Sequence, residues 1–275
     1  MGLWVQTAGL VLAAVGGVIA GTFFSRLRKR FWILGYAIPM ILILILLTAR
    51  YNPWYGFVAP ISWITAGRIR FVVYAFVVTM GLTAPFSRLP HRFEKVLVLV
   101  LMTVFVVCFS IVPFTAPAFF RETLSGLTTN LDSDGICLQS TLYTCGPAAA
   151  VTALKQLGLP ADEGELAVLS YSSPITGTLP GALCTALENK YHDQGLECQY
   201  RGFDSIRQLN AEGITLAIVR DAFLWDHCIA ILQVSDSSVT VADPVYGRMS
   251  IPRNEFRKIW RFCGIVLKRN YPRST

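Results

Sequence analysis

The sequence predicts two structural classes in one chain. An all-α membrane half with four transmembrane helices precedes an α+β domain built on an antiparallel sheet. Three observations carry this. First, apolar runs long enough to span a bilayer recur up to residue 116. Second, the net charge of +7 divides unevenly: up to residue 120 ten Lys and Arg stand against Glu94 alone, and from 121 onward 14 Lys and Arg stand against 16 acids. Third, beyond about residue 120 the composition turns mixed, and helical periodicity gives way to strand alternation. With 53% hydrophobic and only 15% charged residues, the whole chain has a membrane-protein balance.

The first run, residues 3–24, carries no charge, and Arg26-Leu-Arg-Lys-Arg30 follows it. A secretory signal has its basic residues before the apolar run, so this segment is expected to be a retained helix. Residues 31–48 form a second span, dense in Ile and Leu. Tyr51 to Trp63, with five aromatics and two prolines, suits an interfacial loop. Residues 69–86 are the third span and 96–116 the fourth, separated by Arg88, His91, Arg92 and Lys95. The first and third loops hold seven Lys and Arg, against three in the middle loop (Arg50, Arg68, Arg70). The positive-inside rule then puts the two basic loops in the cytoplasm and both chain ends outside it. The expected location is the cell (inner) membrane, multi-pass, with the C-terminal domain extracytoplasmic. These basic residues flank apolar spans, so they set topology and give no reason to invoke nucleic acid.

The expected organisation is a membrane domain over 1–118, a linker over 119–135 ending in the turn-rich Leu131-Asp-Ser-Asp-Gly135, and a soluble domain over 136–275. In that domain Cys145–Leu157 reads as a helix stopped by Gly158 and Pro160. Asp162–Leu169 and Thr178–Tyr191 read as further helices, and Leu196–Arg201 as a strand. Asp204–Ala211 reads as a short helix capped by Asp204. Strands follow at Ile214–Val219, Cys228–Val234, Val239–Ala242 and Met249–Ile251. A short helix over Arg253–Trp260 and a strand over Cys263–Leu267 close the domain.

Four residues of this domain suggest chemistry. Cys145 opens an apolar helix, where the positive end of the macrodipole favours a thiolate. Gln139, six residues upstream, is an amide able to donate to an oxyanion. His227 begins an apolar strand, and Asp243 ends the next one, before Pro244. A hairpin turning at Ser235-Asp-Ser-Ser238 brings Asp243 back beside His227. The carboxylate can then hold one imidazole nitrogen while the other faces the thiol. Taken singly, each residue has a plainer reading as core thiol, satisfied histidine or turn aspartate. Their order and hairpin geometry together favour a catalytic set. Asp226 points to the other side of the strand from His227, and His192 reads as exposed. Cys184 and Cys228 read as core thiols. The six cysteines from residue 137 onward form no CxxC pair, so no metal is expected. With Cys145 free, the other five cannot all pair, and any disulfide needs an oxidising compartment.

Gln139-x5-Cys145-Gly146, His227, and Asp243-Pro244 with Gly247 after it resemble the papain-like cysteine peptidases that remove double-glycine leaders from bacteriocins, family 39 of the cysteine peptidases. The resemblance covers roughly residues 136–268. It implies a papain-like fold and a cysteine peptidase with no cofactor. Cys145 would be the nucleophile, His227 the base, Asp243 its orienter and Gln139 an oxyanion donor. Two features depart from the family pattern. The membrane segment comes first, and no GxxxxGK[ST] loop is present, so an exporter complete in itself is not expected. Ser140-Thr-Leu-Tyr-Thr144 replaces the acidic residues that precede the family's cysteine, so double-glycine specificity is not expected to carry over. The partners to expect are a peptide or protein substrate, the lipid bilayer and a separate exporter or secretion component. The alternatives are an acyl-transferring enzyme using the same residues, and a non-catalytic peptide-binding or assembly module.

Overall fold

The computed structural model describes residues 3–27, 31–52, 55, 57–59, 61, 69–222 and 225–270. Arg28, Lys29 and Arg30 of the first basic loop lie outside the described residues, as do Arg68, six of the thirteen residues of Tyr51–Trp63 and residues 271–275. The chain divides into two compact units, Met1–Thr115 and Ala116–Thr275.

The first unit is helical: α1 (Leu3–Arg26), α2 (Leu34–Tyr51), α3 (Ile69–Thr83) and α4 (Arg92–Val106). A π turn over Val107–Ile111 joins α4 to α5 (Val112–Phe119). Pro113, which has no N–H to give, sits just after that turn and accounts for the break in the α ladder. Among the described residues, four helical stretches are long and apolar enough to cross a membrane: Ala8–Arg26, Phe31–Ala49, Ile69–Arg88 and Arg92–Phe119. The fourth begins four residues before the expected Val96, because Glu94 closes a capping box with His91 at the helix start. Helices α1 and α3 meet through small residues. A Cβ on Gly17 would lie 2.6 Å from the Phe76 carbonyl oxygen, and one on Gly21 2.5 Å from that of Met80. Thr79 and Thr83, on the facing side, return their hydroxyls to their own helix at Ala75 and Thr79. Arg88 Nη2 donates to the Leu27 carbonyl at 2.8 Å, satisfying an acceptor just past the end of α1.

The second unit is α+β, as the sequence predicts. Its six-stranded antiparallel sheet runs β3-β8-β4-β5-β6-β7. These strands are β3 (Leu196–Gly202), β4 (Ile214–Arg220), β5 (Asp226–Val234), β6 (Ser238–Asp243), β7 (Gly247–Pro252) and β8 (Trp260–Arg269). Helices α7 (Cys145–Gln156), α8 (Glu163–Leu169) and α9 (Pro180–Tyr191) precede it, and α10 (Arg253–Ile259) leads into β8. Helix α9 starts at Pro180 and not at Thr178, since proline at the first helical position needs no N–H partner. A core of Phe203, Leu209, Ile229, Val241, Phe256 and Trp260 fills one side of the sheet.

One local expectation is corrected. The 204–211 segment is a 3-10 helix over Ile206–Asn210, and its cap is Ser205, which closes a box with Gln208; Asp204 only donates its N–H to the Gln208 side chain, at 2.8 Å. The 119–135 stretch expected as a linker holds α6 (Arg121–Ser125) and strand β1 (Asn130–Leu131), which pairs with β2 (Cys137–Leu138). Both elements are too short to leave a periodic signal. Buried Leu124 and the hydrogen bond from Thr129 Oγ1 to Asp162 Oδ2 (2.8 Å) tie this stretch to the domain.

Candidate active site

Cys145 is the first residue of α7, partly exposed, with Thr144 in the cap position. The Thr144 hydroxyl does not cap the helix; it turns back to Thr141, donating to that carbonyl at 3.1 Å and accepting from its N–H at 3.2 Å. The first N–H groups of α7 thus stay free of a side-chain cap and open toward the thiol. The loop is held from outside as well. Thr178 Oγ1 donates to the Tyr143 carbonyl at 3.2 Å, and Ser172 Oγ lies 2.6 Å from Thr178 Oγ1.

The other partners come from β5 and β6. His227 Nε2 lies 3.0 Å from Asp243 Oδ1. The Cys145 side chain interacts with the same imidazole. Three of the four sequence-selected residues are therefore in contact. The Asp243 carboxylate is buried and also accepts from the Val245 N–H at 2.7 Å and the Tyr246 N–H at 3.3 Å. Burial alone would raise its pKa, but the imidazole and the two backbone donors outweigh burial and hold it below the usual carboxylate value. For His227, burial pulls downward, while hydrogen bonds and charge interactions with Asp243 and Cys145 push upward, to about 10. The imidazolium is thus the favoured form at neutral pH.

The hairpin that joins His227 to Asp243 is not regular. The register runs Gln233↔Thr240 near the turn but Ile231↔Val241 and Ala230↔Ala242 farther along, so β5 carries one extra residue, Leu232. This bulge sets Asp243 opposite Ile229, on the same face as His227. Continuing the unshifted pairing would have set it opposite Ala230, with its carboxylate on the other face.

The Gln139 backbone N–H donates to the Pro244 carbonyl at 2.8 Å, pinning the glutamine to the turn that follows Asp243. Its side-chain Oε1 is buried and has no hydrogen-bond partner among the described residues. A half-turn about χ3 exchanges that atom for the amide N–H2, so this position can offer a donor without breaking an existing bond. Asp226 pairs with Arg261 Nε at 2.8 Å. His192 is exposed, at the start of a 3-10 turn. The Cys137 thiol is pushed up to about 12 by burial and by the charge of Glu163, and full burial raises Cys228 as well, so neither is a rival nucleophile.

Sequence reasoning missed Glu163. It reads as an ordinary acid in the first turn of a helix, yet it is fully buried and accepts from both the N–H and the hydroxyl of Ser140. No local pattern separates it from Glu165, two residues on, which faces solvent and pairs with Lys190.

The model of the peptidase C39 family matches residues 134–271. An uncharacterised protein of Methanothermobacter thermautotrophicus is 30% identical over 141 residues, which is 51% of this chain and 92% of that protein. One from Methanothermobacter marburgensis is 34% identical over 137 residues, 50% of this chain and 89% of the relative. Among solved structures, the peptidase domain of Streptococcus ComA, a bifunctional ABC transporter in a quorum-sensing pathway, aligns with a TM-score of 0.43 at 18% identity, covering 48% of this chain and 96% of that domain. A double-glycine-motif protease from an AMS/PCAT transporter, bound to its leader peptide, aligns with a TM-score of 0.41 at 16% identity, covering 52% and 94%. A C39-like peptidase of Bacillus anthracis aligns with a TM-score of 0.42 at 14% identity, covering 53% and 100%.

Proposed function

Since this chain belongs to the peptidase C39 family, we propose that it is a membrane-anchored cysteine peptidase that cleaves a peptide or protein by a Cys-His-Asp mechanism with a glutamine in the oxyanion hole. The observation that carries this reading is the line of contacts from Cys145, at the start of α7, through the His227 ring to Asp243, 3.0 Å beyond. A nucleophile, a base and an orienter are what peptide hydrolysis by a thiol requires.

In the proposed reaction Cys145 Sγ attacks the scissile carbonyl carbon as a thiolate while His227 holds the thiol proton. The carbonyl oxygen becomes an oxyanion that accepts from the Cys145 N–H and the Gln139 amide. The C–N bond breaks, and the leaving amine takes the proton from His227. Water then attacks the thioester, giving its proton to His227, and the carboxylic acid leaves as the thiol re-forms. Asp243 keeps the imidazole in the right tautomer and offsets its charge throughout. No cofactor enters the scheme.

The apolar helices of the first unit support membrane anchoring, as does their exterior of exposed Leu, Ile, Val and Phe. The bond from Arg88 to Leu27 supports a common side for the first and third loops, and with it the cytoplasmic assignment of both. On that topology the peptidase domain is extracytoplasmic, and its substrate would be met at the outer face of the inner membrane. A separate secretion component that delivers the substrate is part of the same reading.

The test compares membrane-fraction proteomes of cells carrying the active protein and cells carrying Cys145→Ala. The expected result is one substrate accumulating uncut in the variant, whose fold is unchanged by circular dichroism. Undiminished cleavage by folded Cys145→Ala protein would overturn the assignment.

A further inference from the structure

Two cysteines away from the candidate site stand in direct contact. Cys184 lies in α9, Cys198 lies in β3, and their sulfurs are 2.7 Å apart across 14 residues of chain. We propose that these two residues are a disulfide site, oxidised in the mature protein, which staples α9 to the edge strand of the sheet.

The surroundings suit a covalent bond better than two separate core thiols, as which Cys184 had read from sequence. The Cys184 sulfur accepts from the Cys198 thiol and interacts with the backbone of Tyr200. These interactions lower the Cys184 pKa, so it is the sulfur that ionises first. Among the described residues no group of three His, Cys, Asp or Glu side chains gathers, so the pair lacks the ligands a metal site would need. Cys198 is only half-buried, which gives a small oxidant a way in.

The bond forms by exchange with an external disulfide. The Cys184 thiolate attacks one sulfur of that disulfide, making a mixed disulfide and releasing one thiol. The Cys198 sulfur, giving up its proton, then displaces the second. Each protein sulfur is oxidised by one electron. The external disulfide takes up the two electrons and the two protons and leaves as two thiols. An extracytoplasmic compartment supplies such oxidants and the cytosol does not.

The staple has a structural consequence. Among the described residues, strand β3 is at the edge of the sheet and pairs only with β8. Helix α9, on the other side of the bond, carries Leu183, whose Cδ2 would be 3.2 Å from a Cβ on Gly146, the residue after the candidate nucleophile. Locking α9 to β3 therefore stiffens the wall beside the start of α7.

The experiment uses the full-length Cys145→Ala protein in detergent, so its outcome does not depend on whether Cys145 cleaves peptides. The protein is equilibrated with oxidised glutathione, alkylated without reductant and digested with trypsin. Cleavage after Lys155, Lys190 and Arg201 puts the two cysteines on separate peptides. The expected product is those two peptides joined, two hydrogens lighter than their sum, and separated by reduction. Reduction should also lower the melting temperature by roughly 5–10 °C in this protein, and leave it unchanged when Cys184→Ser and Cys198→Ser are added. Recovery of both cysteines as alkylated thiols, or as separate glutathione adducts, overturns the inference. So does a joined pair whose reduction leaves the melting temperature where it was, since the bond would then staple nothing.

Discussion

Glu163 holds Ser140 by two hydrogen bonds, from the backbone N–H at 2.9 Å and from the hydroxyl at 2.7 Å. The carboxylate is fully buried, and Ser140 directly follows Gln139. Glu163 is thus a positioning residue for the loop that carries both the glutamine and the cysteine. Glu163→Ala should cost about 2 kcal/mol of stability, the range for a lost hydrogen bond to a charged group. It should also lower kcat more than it raises KM. Glu163→Gln keeps one acceptor and should retain most of both. Urea unfolding and steady-state kinetics on a cleaved peptide measure the two effects; a kcat unchanged in Glu163→Ala would remove the positioning role.

The pH profile should report the His227–Asp243 pair. The folded His227 pKa of about 10 stands above its ordinary value of 6.5. Its contribution to stability is therefore fully present below pH 6.5 and is lost as pH rises through about 10. Asp243 is shifted downward from 3.8, so its contribution is present above pH 3.8 and is lost as pH falls through its lowered value. The alkaline limb of kcat/KM should lie near pH 10. In Asp243→Asn the largest upward influence on His227 is gone while burial remains. That limb should move down by more than one pH unit, and the rate at pH 8 should fall roughly 10²–10⁴-fold. A limb that stays in place would show that His227 does not act as the base.

The turn after Asp243 closes on Gly247, which pairs with Asp243 and has φ +75°. A Cβ there would lie 3.0 Å from Asp132 Oδ2. Gly247→Ala should cost about 1 kcal/mol, because an L-residue disfavours the left-handed region. Gly247→Asn should cost less, since asparagine tolerates it. Thermal unfolding ranks the two; equal melting temperatures would contradict the argument from φ.

The helical unit should depend on its glycine contacts. At Gly17 and Gly21 the atoms in the way are the Thr79 and Thr83 hydroxyls and, behind them, backbone carbonyls of α3, which cannot yield as side chains do. Gly17→Leu and Gly21→Leu should each destabilise the unit by roughly 1–3 kcal/mol. Gly16→Leu is the control, because nothing lies within 4 Å of a Cβ at that position. Melting curves in detergent should separate the first two variants from the third.

Much of the fold was legible because its signals are local. Long uninterrupted apolar runs mark the spanning-length helices, short ones mark β4 and β5, and period-two alternation marks β3. Elements of two to five residues, such as α6, β1 and β2, left no trace, because too few positions carry the period. Asp204 was read as a cap in place of Ser205, since the two are adjacent and equally suited; the reach of Gln208 decides between them.

By itself the sequence determined which residue types are present, their order, and the element that bears each. Cys145 opens a helix and His227 lies near the start of a strand because capping, periodicity and breakers act over a few neighbours. The tertiary structure alone decided which of those groups meet. The extra residue in β5, not the length of the hairpin, turns Asp243 to the face of His227, for side chains alternate with every residue and one insertion reverses the side. Likewise only packing distinguishes Glu163 under Ser140 from Glu165 in solvent, and brings Cys184 to Cys198. Those are contacts across the fold, whose partners are chosen by how whole elements stack and not by the residues beside them in the chain.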